Sequence, residues 1–301
     1  MKRIRHYLSL VKFSHTIFAM PFALIGFFMG VMQAEQNSPL NGWQKTKEYF
    51  SNHGEVFLFI VICMVTARSA AMAFNRYLDR EFDAKNPRTA IREIPKGIIS
   101  PSSALRFTIA NSIVFMWSAW MINISCFLLS PIALLVILGY SYTKRFTPLC
   151  HLILGLGLSL APTGAFIAVT EHVSAAVICL SAAVIGWVSG FDIIYALQDD
   201  EFDIKQGLYS IPSFFGRKNA LFISRCLHAA TAVFLISVGL LQGMHFVYFI
   251  GLVIYVGLLI YQQSIVKVND LSKVNIAFMT SNGAASIAFA YFTIMDLVYF
   301  G

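Results

Sequence analysis

The sequence is poor in charge. Only 12% of its 301 residues are Asp, Glu, Lys or Arg, about half the share of an average soluble domain. The 22 basic and 15 acidic residues are too few to cover a soluble globule of this length, so the apolar surface must face lipid. Cysteine is also sparse. Cys63, Cys126, Cys150, Cys179 and Cys226 follow no CxxC or Cys/His spacing, which excludes a zinc ribbon, and they read as small core hydrophobes. The seven histidines are scattered and argue for no metal site. Basic residues form no separate domain and are interleaved with acids, so no nucleic-acid partner is expected.

What is abundant is apolar sequence, at 57% hydrophobic and 14% aromatic. It falls into nine runs near 11–33, 55–82, 103–122, 126–142, 149–170, 173–199, 219–241, 245–264 and 275–298, each close to the length that crosses a bilayer as a helix. The first run starts basic, as a signal peptide would. It also contains Pro21, lacks an A-x-A-like cleavage site and is followed by further runs, so it reads as a retained span. The expectation is one all-α transmembrane domain over 1–301. Most aromatic rings should face lipid or fill the core, and Gly26, Gly30, Gly155, Gly157 and Gly164 should mark close helix packing.

Lys and Arg are distributed unevenly among the connections. They gather before span 1 and after spans 2, 4, 6 and 8, while the opposite connections hold only Lys45 and Lys47. Positive loops stay cytoplasmic, so the amino terminus is placed in the cytoplasm and Gly301 on the far side of a cell inner membrane. The net charge of +7 also suits anionic membrane lipid or an anionic substrate.

One segment occurs twice. Asp79-Arg-Glu-Phe-Asp83-Ala-Lys85 returns as Asp199-Asp-Glu-Phe-Asp203-Ile-Lys205, each followed by Ile-Pro, which points to two related four-helix units. Both copies close even-numbered spans, so topology brings them to the same face. Read as continuous helix, Asn75, Asp79 and Asp83 share one face, as do Asp192, Asp199 and Asp203. Asp192 lies within apolar sequence, where a carboxylate marks a polar cavity. Glu81, Asp200 and Glu201 point off these stripes and read as interfacial partners of nearby bases. Two facing acidic stripes repel unless cations lie between them, and hard oxygen donors of this kind take Mg²⁺ together with a substrate diphosphate. Arg88, Arg92, Lys96, Lys144 and Arg145 lie on the same face to meet the diphosphate. Arg68, seven residues before Asn75, should look into the cavity. Intramembrane acids and repeats also mark transporters, but here the acids cluster at one face instead of the midplane.

The stretch from Asn75 through Asp79, Asp83 and Arg88 to Arg92 resembles the first aspartate-rich motif of the UbiA superfamily of intramembrane prenyltransferases. Asp192-Ile-Ile-Tyr195-Ala-Leu-Gln-Asp199-Asp-Glu-Phe-Asp203 resembles the second, and Tyr140 to Lys144 fits its short YxxxK motif. Phe13 to Phe22 is also similar to family members. Glu93 departs from the pattern, standing where many members carry proline or a neutral residue.

The resemblance implies a nine-helix, ring-like bundle around a cavity open to the cytoplasmic face. It also implies transfer of a polyprenyl group from a polyprenyl diphosphate to an aromatic acceptor, with the closest motif match to the 4-hydroxybenzoate branch of quinone biosynthesis. A hydroxynaphthoate acceptor is the alternative. On the same basis Asn75, Asp79, Asp199 and Asp203, with Asp83 secondary, are assigned to Mg²⁺. Arg88, Arg92, Tyr140, Lys144 and Arg145 are assigned to the diphosphate. Arg68 is assigned to the diphosphate or an acceptor carboxylate, and Asp192, supported by Tyr195, to orienting or deprotonating the acceptor.

Overall fold

A computed structural model describes residues 2–11 and 20–301, with side chains from His6 onward. The helices, in chain order, are α1 (Lys2–Leu10), α2 (Met20–Ala34), α3 (Gly42–Leu78), α4 (Arg80–Lys85), α5 (Pro101–Ile122), α6 (Ile124–Thr143) and α7 (Cys150–Thr170). They continue with α8 (Ala175–Ala196), α9 (Asp200–Gln206), α10 (Ile211–Leu241), α11 (Phe246–Ile265), a π-helical turn (Ile276–Ser281) and α12 (Asn282–Phe300). Among the described residues, eight helices are long and apolar enough to cross a membrane. Nine were expected. The difference is the first run, of which only α2, 15 residues long, is described. Lys12 and the motif segment from Phe13 to Ala19 lie outside the described residues.

Local sequence explains where the spans begin. Asn41, Ser100, Asn123, Ser174 and Ser210 each accept a hydrogen bond from a backbone N–H of the first turn of α3, α5, α6, α8 and α10, and Pro101 and Pro212 occupy positions where a helix needs no donor. The Asn41 and Ser210 caps are reciprocal capping boxes, and the helices they start break at His53 (φ −139°, ψ 29°) and Gly216 (φ 78°, ψ 160°), so the long continuous parts of α3 and α10 begin close to the predicted 55 and 219. The outward faces are apolar. On α6, Leu128, Ile132 and Leu135 are 64%, 61% and 74% exposed, a stripe that only lipid can cover.

The spans α3, α5, α6, α7, α8, α10, α11 and α12 pack each against the next, α12 also meets α3, and α2 is held between α7 and α12. An aromatic core seals this assembly. Phe22 of α2 meets Trp187 at 5.0 Å and Phe289 at 6.1 Å between ring centres, and the Trp187 Nε1–H donates to Asn282 Oδ1 at 2.9 Å. Gly26 permits the contact between α2 and α7, since a Cβ there would lie 2.2 Å from the Pro162 carbonyl oxygen. Gly157 and Gly164, also expected at close contacts, instead line a cavity, and nothing lies within 4 Å of the position of a Cβ on Gly164.

The repeat does not run as continuous helix. α3 ends at Leu78 and α4 starts at Arg80, with Asp79 between them at φ −90°, ψ 10°. The second copy behaves alike, with Asp199 at φ −114°, ψ 1° just before α9. Each short helix has acids in its first turn and a lysine in its last, which complements the helix dipole and favours a fresh helix start. The predicted stripes are therefore bent at Asp79 and Asp199. α9 closes at Gly207, whose φ of 66° is a left-handed turn that a β-carbon would strain.

Candidate active site

Both bends lie at the same end of the bundle, as the parity of the spans requires, and they border one polar cavity of about 230 Å³. Every residue predicted for the site lines it except Arg68 and Lys96. Arg68 instead lines an adjoining apolar cavity of about 460 Å³ running between α3, α5, α6 and α7, where its Nε has no hydrogen-bond partner. Tyr140 and Leu154 border both cavities. They mark the boundary between the polar mouth and the apolar interior.

The expected repulsion between acidic stripes is absent, because the chain's own cations stand between the acids. Arg88, on the loop after α4, reaches across to the second copy. Its Nε donates to Asp199 Oδ1 at 2.9 Å, its Nη2 also pairs with Asp199, and its Nη1 donates to the Tyr195 hydroxyl at 3.0 Å. Lys144, capping α6, lies 2.7 Å from Asp203 Oδ1, and the adjacent Arg145 lies 3.3 Å from Asp79 Oδ1 while also donating to the Leu78 carbonyl. Arg92 pairs with Asp83 at 2.6 Å, and Arg76 lies 3.9 Å from the other Asp83 oxygen. Tyr195 is thus a brace for Arg88, with its ring packed 4.2 Å from Phe278.

The acids differ in how they hold charge. Burial opposes the charge of Asp199, but the hydrogen bonds and positive charge of Arg88 outweigh it and hold the carboxyl below its usual range. At Asp79, burial and the nearby Asp83 carboxylate outweigh Arg145 and push the carboxyl up. Lys144 is opposed by burial yet raised overall by Asp203. No three acids, histidines or cysteines converge at metal-ligand distances among the described residues. The donors that line the cavity are carboxylate and amide oxygens, the hard set that suits Mg²⁺.

Some placements were not foreseen. Asn86 lines the cavity and donates to Asp199 Oδ1 at 3.0 Å while its own oxygen accepts the Arg88 N–H. His151 also lines it, 2.7 Å from Asp192. Neither shows in sequence, since a lone Asn in a loop and a His in an apolar run carry no spacing signal. Asp200 is buried and paired with Arg217, a partner not anticipated, while Glu81 and Glu201 are exposed as expected.

A charged mouth opening onto an apolar interior, inside a helical membrane bundle, is the architecture of an enzyme that handles a lipid with an ionic head group. The sequence profile described as the UbiA prenyltransferase family matches residues 20–289. A 4-hydroxybenzoate octaprenyltransferase of Nitrosospira multiformis is 31% identical over 236 residues, covering 78% of this chain and 81% of the relative. Another of the same description from Marinomonas sp. is 31% identical, covering 75% and 79%. Among solved structures, the apo UbiA homolog from Aeropyrum pernix K1 superposes with a TM-score of 0.75 at 29% identity, covering 93% of this chain and 95% of that one. A UbiA homolog from Archaeoglobus fulgidus bound to GPP and Mg²⁺ shares the fold, with a TM-score of 0.67 at 21% identity, covering 96% and 99%. This chain belongs to the UbiA prenyltransferase family. It is a multi-pass membrane polyprenyltransferase.

Proposed function

We propose that this enzyme transfers a polyprenyl group from an allylic diphosphate to 4-hydroxybenzoate, with Mg²⁺, at the cytoplasmic face of a cell inner membrane in quinone biosynthesis. The observation that carries the reading is the junction of the two cavities at Tyr140 and Leu154. It lets a diphosphate lie among Arg88, Arg92, Lys144 and Arg145 while the attached chain enters the apolar space. Relatives described as 4-hydroxybenzoate octaprenyltransferases support the acceptor.

Asn75, Asp79, Asp199 and Asp203, with Asp83 secondary, would hold the metal. Asn75 already donates to Asp79 Oδ2 at 3.0 Å and so orients it. Mg²⁺, when bound, supplies charge that stabilises the departing diphosphate. A diphosphate entering the mouth takes over Arg88, Lys144, Arg145 and Arg92 from their acids, which frees carboxylate oxygens for the metal. The chain thus binds both partners by exchanging its own ion pairs. Arg68 and Tyr140 face the reacting end of the chain, where Arg68 meets the acceptor carboxylate. Asp192 takes the acceptor hydroxyl proton. The ring carbon beside that oxygen bonds to the allylic carbon as the carbon–oxygen bond to diphosphate breaks, the electron pair leaving with the diphosphate. The ring then gives its proton to the released diphosphate, and the oxygen regains one from Asp192. The apolar lining of the space beyond Tyr140 and Leu154 disfavours water and so protects the allylic cation from capture.

The test is purified protein in lipid nanodiscs with labelled prenyl diphosphates of several lengths, offered 4-hydroxybenzoate and hydroxynaphthoates. Mg²⁺-dependent prenylation of 4-hydroxybenzoate supports the reading. A preference for hydroxynaphthoate corrects the acceptor, and absence of any metal-dependent product overturns the reaction. Orientation is tested by single-cysteine labelling: positions 90 and 208 should react from the cytoplasmic side and the segment 35–53 from the other.

A further inference from the structure

His151 is the second residue of α7 and is buried, yet its ring lies against the wall of the reaction cavity. Both ring nitrogens are engaged. Nε2 accepts the backbone N–H of Ile211 at 3.2 Å, and Nδ1 lies 2.7 Å from Asp192 Oδ2. A nitrogen that accepts a fixed N–H carries no proton, so the imidazole is neutral with its single proton on Nδ1, donated to Asp192. An imidazolium would set two N–H groups against each other at Ile211.

The segment that supplies this N–H is itself tied down. Tyr209 N donates to the Lys144 carbonyl at 2.7 Å, and the Cys150 Sγ lies 3.6 Å from the Tyr209 carbonyl, so the loop after the second acidic motif is fastened to the connection between α6 and α7. The Ser189 hydroxyl donates to the His151 carbonyl at 3.1 Å and fixes its backbone from α8. Asp192 remains 24% exposed toward the cavity. Leu154, one turn along α7 from His151, is one of the two residues where the polar and apolar cavities meet.

We propose that His151 is a positioning residue for acceptor activation, holding the Asp192 carboxylate aimed at the cavity junction so that it takes the acceptor's hydroxyl proton. The inference rests on the prenyl-transfer reading above. In the step, the acceptor O–H bond breaks, an O–H bond forms on Asp192, and the electron pair stays on the acceptor oxygen. His151 keeps its Nδ1 proton throughout. The titratable and charged groups around Asp192 are His151 of α7, bonded to it, Tyr140 of α6 with Arg68 of α3 and Asp79 at the bend after α3 beyond it, and Cys150 and Tyr195 on the same cavity wall, while the Ile211 N–H of α10 lies on the far side of the His151 ring.

Replacement separates an N–H donor from mere bulk. His151→Leu fills similar space without a donor, whereas His151→Gln keeps one. The Leu variant should lose roughly 10- to 100-fold in kcat/KM for the acceptor, with the KM for prenyl diphosphate unchanged. The acid limb of its pH profile should move to higher pH, because the Asp192 carboxylate has lost a hydrogen bond to its charged form. The loss should shrink with fluorinated acceptors whose hydroxyl is more acidic, and the Gln variant should recover most of the activity.

Equal loss for both substrates, an unmoved acid limb, or a Gln variant as impaired as Leu overturns the proposal. Should the Leu variant not fold, Gln alone decides: near-normal acceptor kinetics and pH profile support the donor role, and a large loss overturns it. Wild-type protein that forms no prenylated phenol fails the underlying reading instead, so the two failures are told apart.

Discussion

Asp79 and Asp199 occupy the same position in their copies of the motif, each at a bend between a long span and a short helix, yet they are held differently. Asp199 is clasped by Arg88 from the other half of the chain and by Asn86, and its carboxyl is held low. Asp79 has a longer contact to Arg145 and an acidic neighbour in Asp83, and its carboxyl is pushed up. Four residues on, Asp203 pairs with Lys144 from α6, while Asp83 pairs with Arg92 of its own loop and lies near buried Arg76. A repeated motif therefore does not imply repeated roles. The second copy is held by cations from elsewhere in the fold, and the first is partly held by its own surroundings.

The comparison breaks most sharply if one copy proves dispensable. Asp79→Ala and Asp199→Ala should each lower turnover on the order of 10³-fold, as expected when a main electrostatic element is removed, while the protein remains folded in the membrane. Near-normal turnover by either variant at limiting Mg²⁺ removes that acid from the metal site.

The cations that join the copies come next. Arg88→Ala and Lys144→Ala should cost about 10- to 100-fold in kcat/KM for the prenyl diphosphate, since a charge-assisted contact is worth roughly 1.5–3 kcal/mol. The acceptor KM should change little. A raised acceptor KM with normal diphosphate kinetics reverses the orientation of the two substrates.

Asp83 tests the inequality within the first copy. Asp83→Asn leaves Arg92 and Arg76 without their anion in a largely buried setting and should cost on the order of 2 kcal/mol of stability. Glu81→Gln, at an exposed pair, should be indistinguishable from wild type. Thermal unfolding of both in detergent measures the contrast, and equal behaviour would show that Asp83 carries no structural pair.

The smallest effect is the pH dependence of stability without divalent ions. Asp199, held low, contributes stability that is complete above the ordinary carboxylate pKa of about 3.9 and is lost as pH falls through its lower value. Asp79, pushed up, favours the folded state while protonated, and that contribution is lost as pH rises through its raised value. Asp199→Asn should therefore flatten the acid side of the unfolding profile, and Asp79→Asn should raise the unfolding temperature near neutrality. Profiles that change over the same pH range would show the two sites to be alike.

Composition and pattern alone determined that this is a helical membrane protein, because a chain with so few charges has no other solvent. The repeat, together with the parity of the spans, determined that both acidic motifs meet at one end. Those are one-dimensional properties, readable from run lengths and spacing. The short helices were legible in retrospect, since acids at the start and lysine at the end of each motif copy mark a new helix. Tertiary structure alone decided which cation meets which acid. Arg88 bonds Asp199 across 111 positions of sequence, a partner that no local pattern specifies. It also decided that Arg68 faces the apolar cavity, that Gly164 opens space instead of closing it, and that His151 stands beside Asp192. Side-chain pairing depends on how helices are rotated and bent against one another, and that is set by packing of the whole bundle.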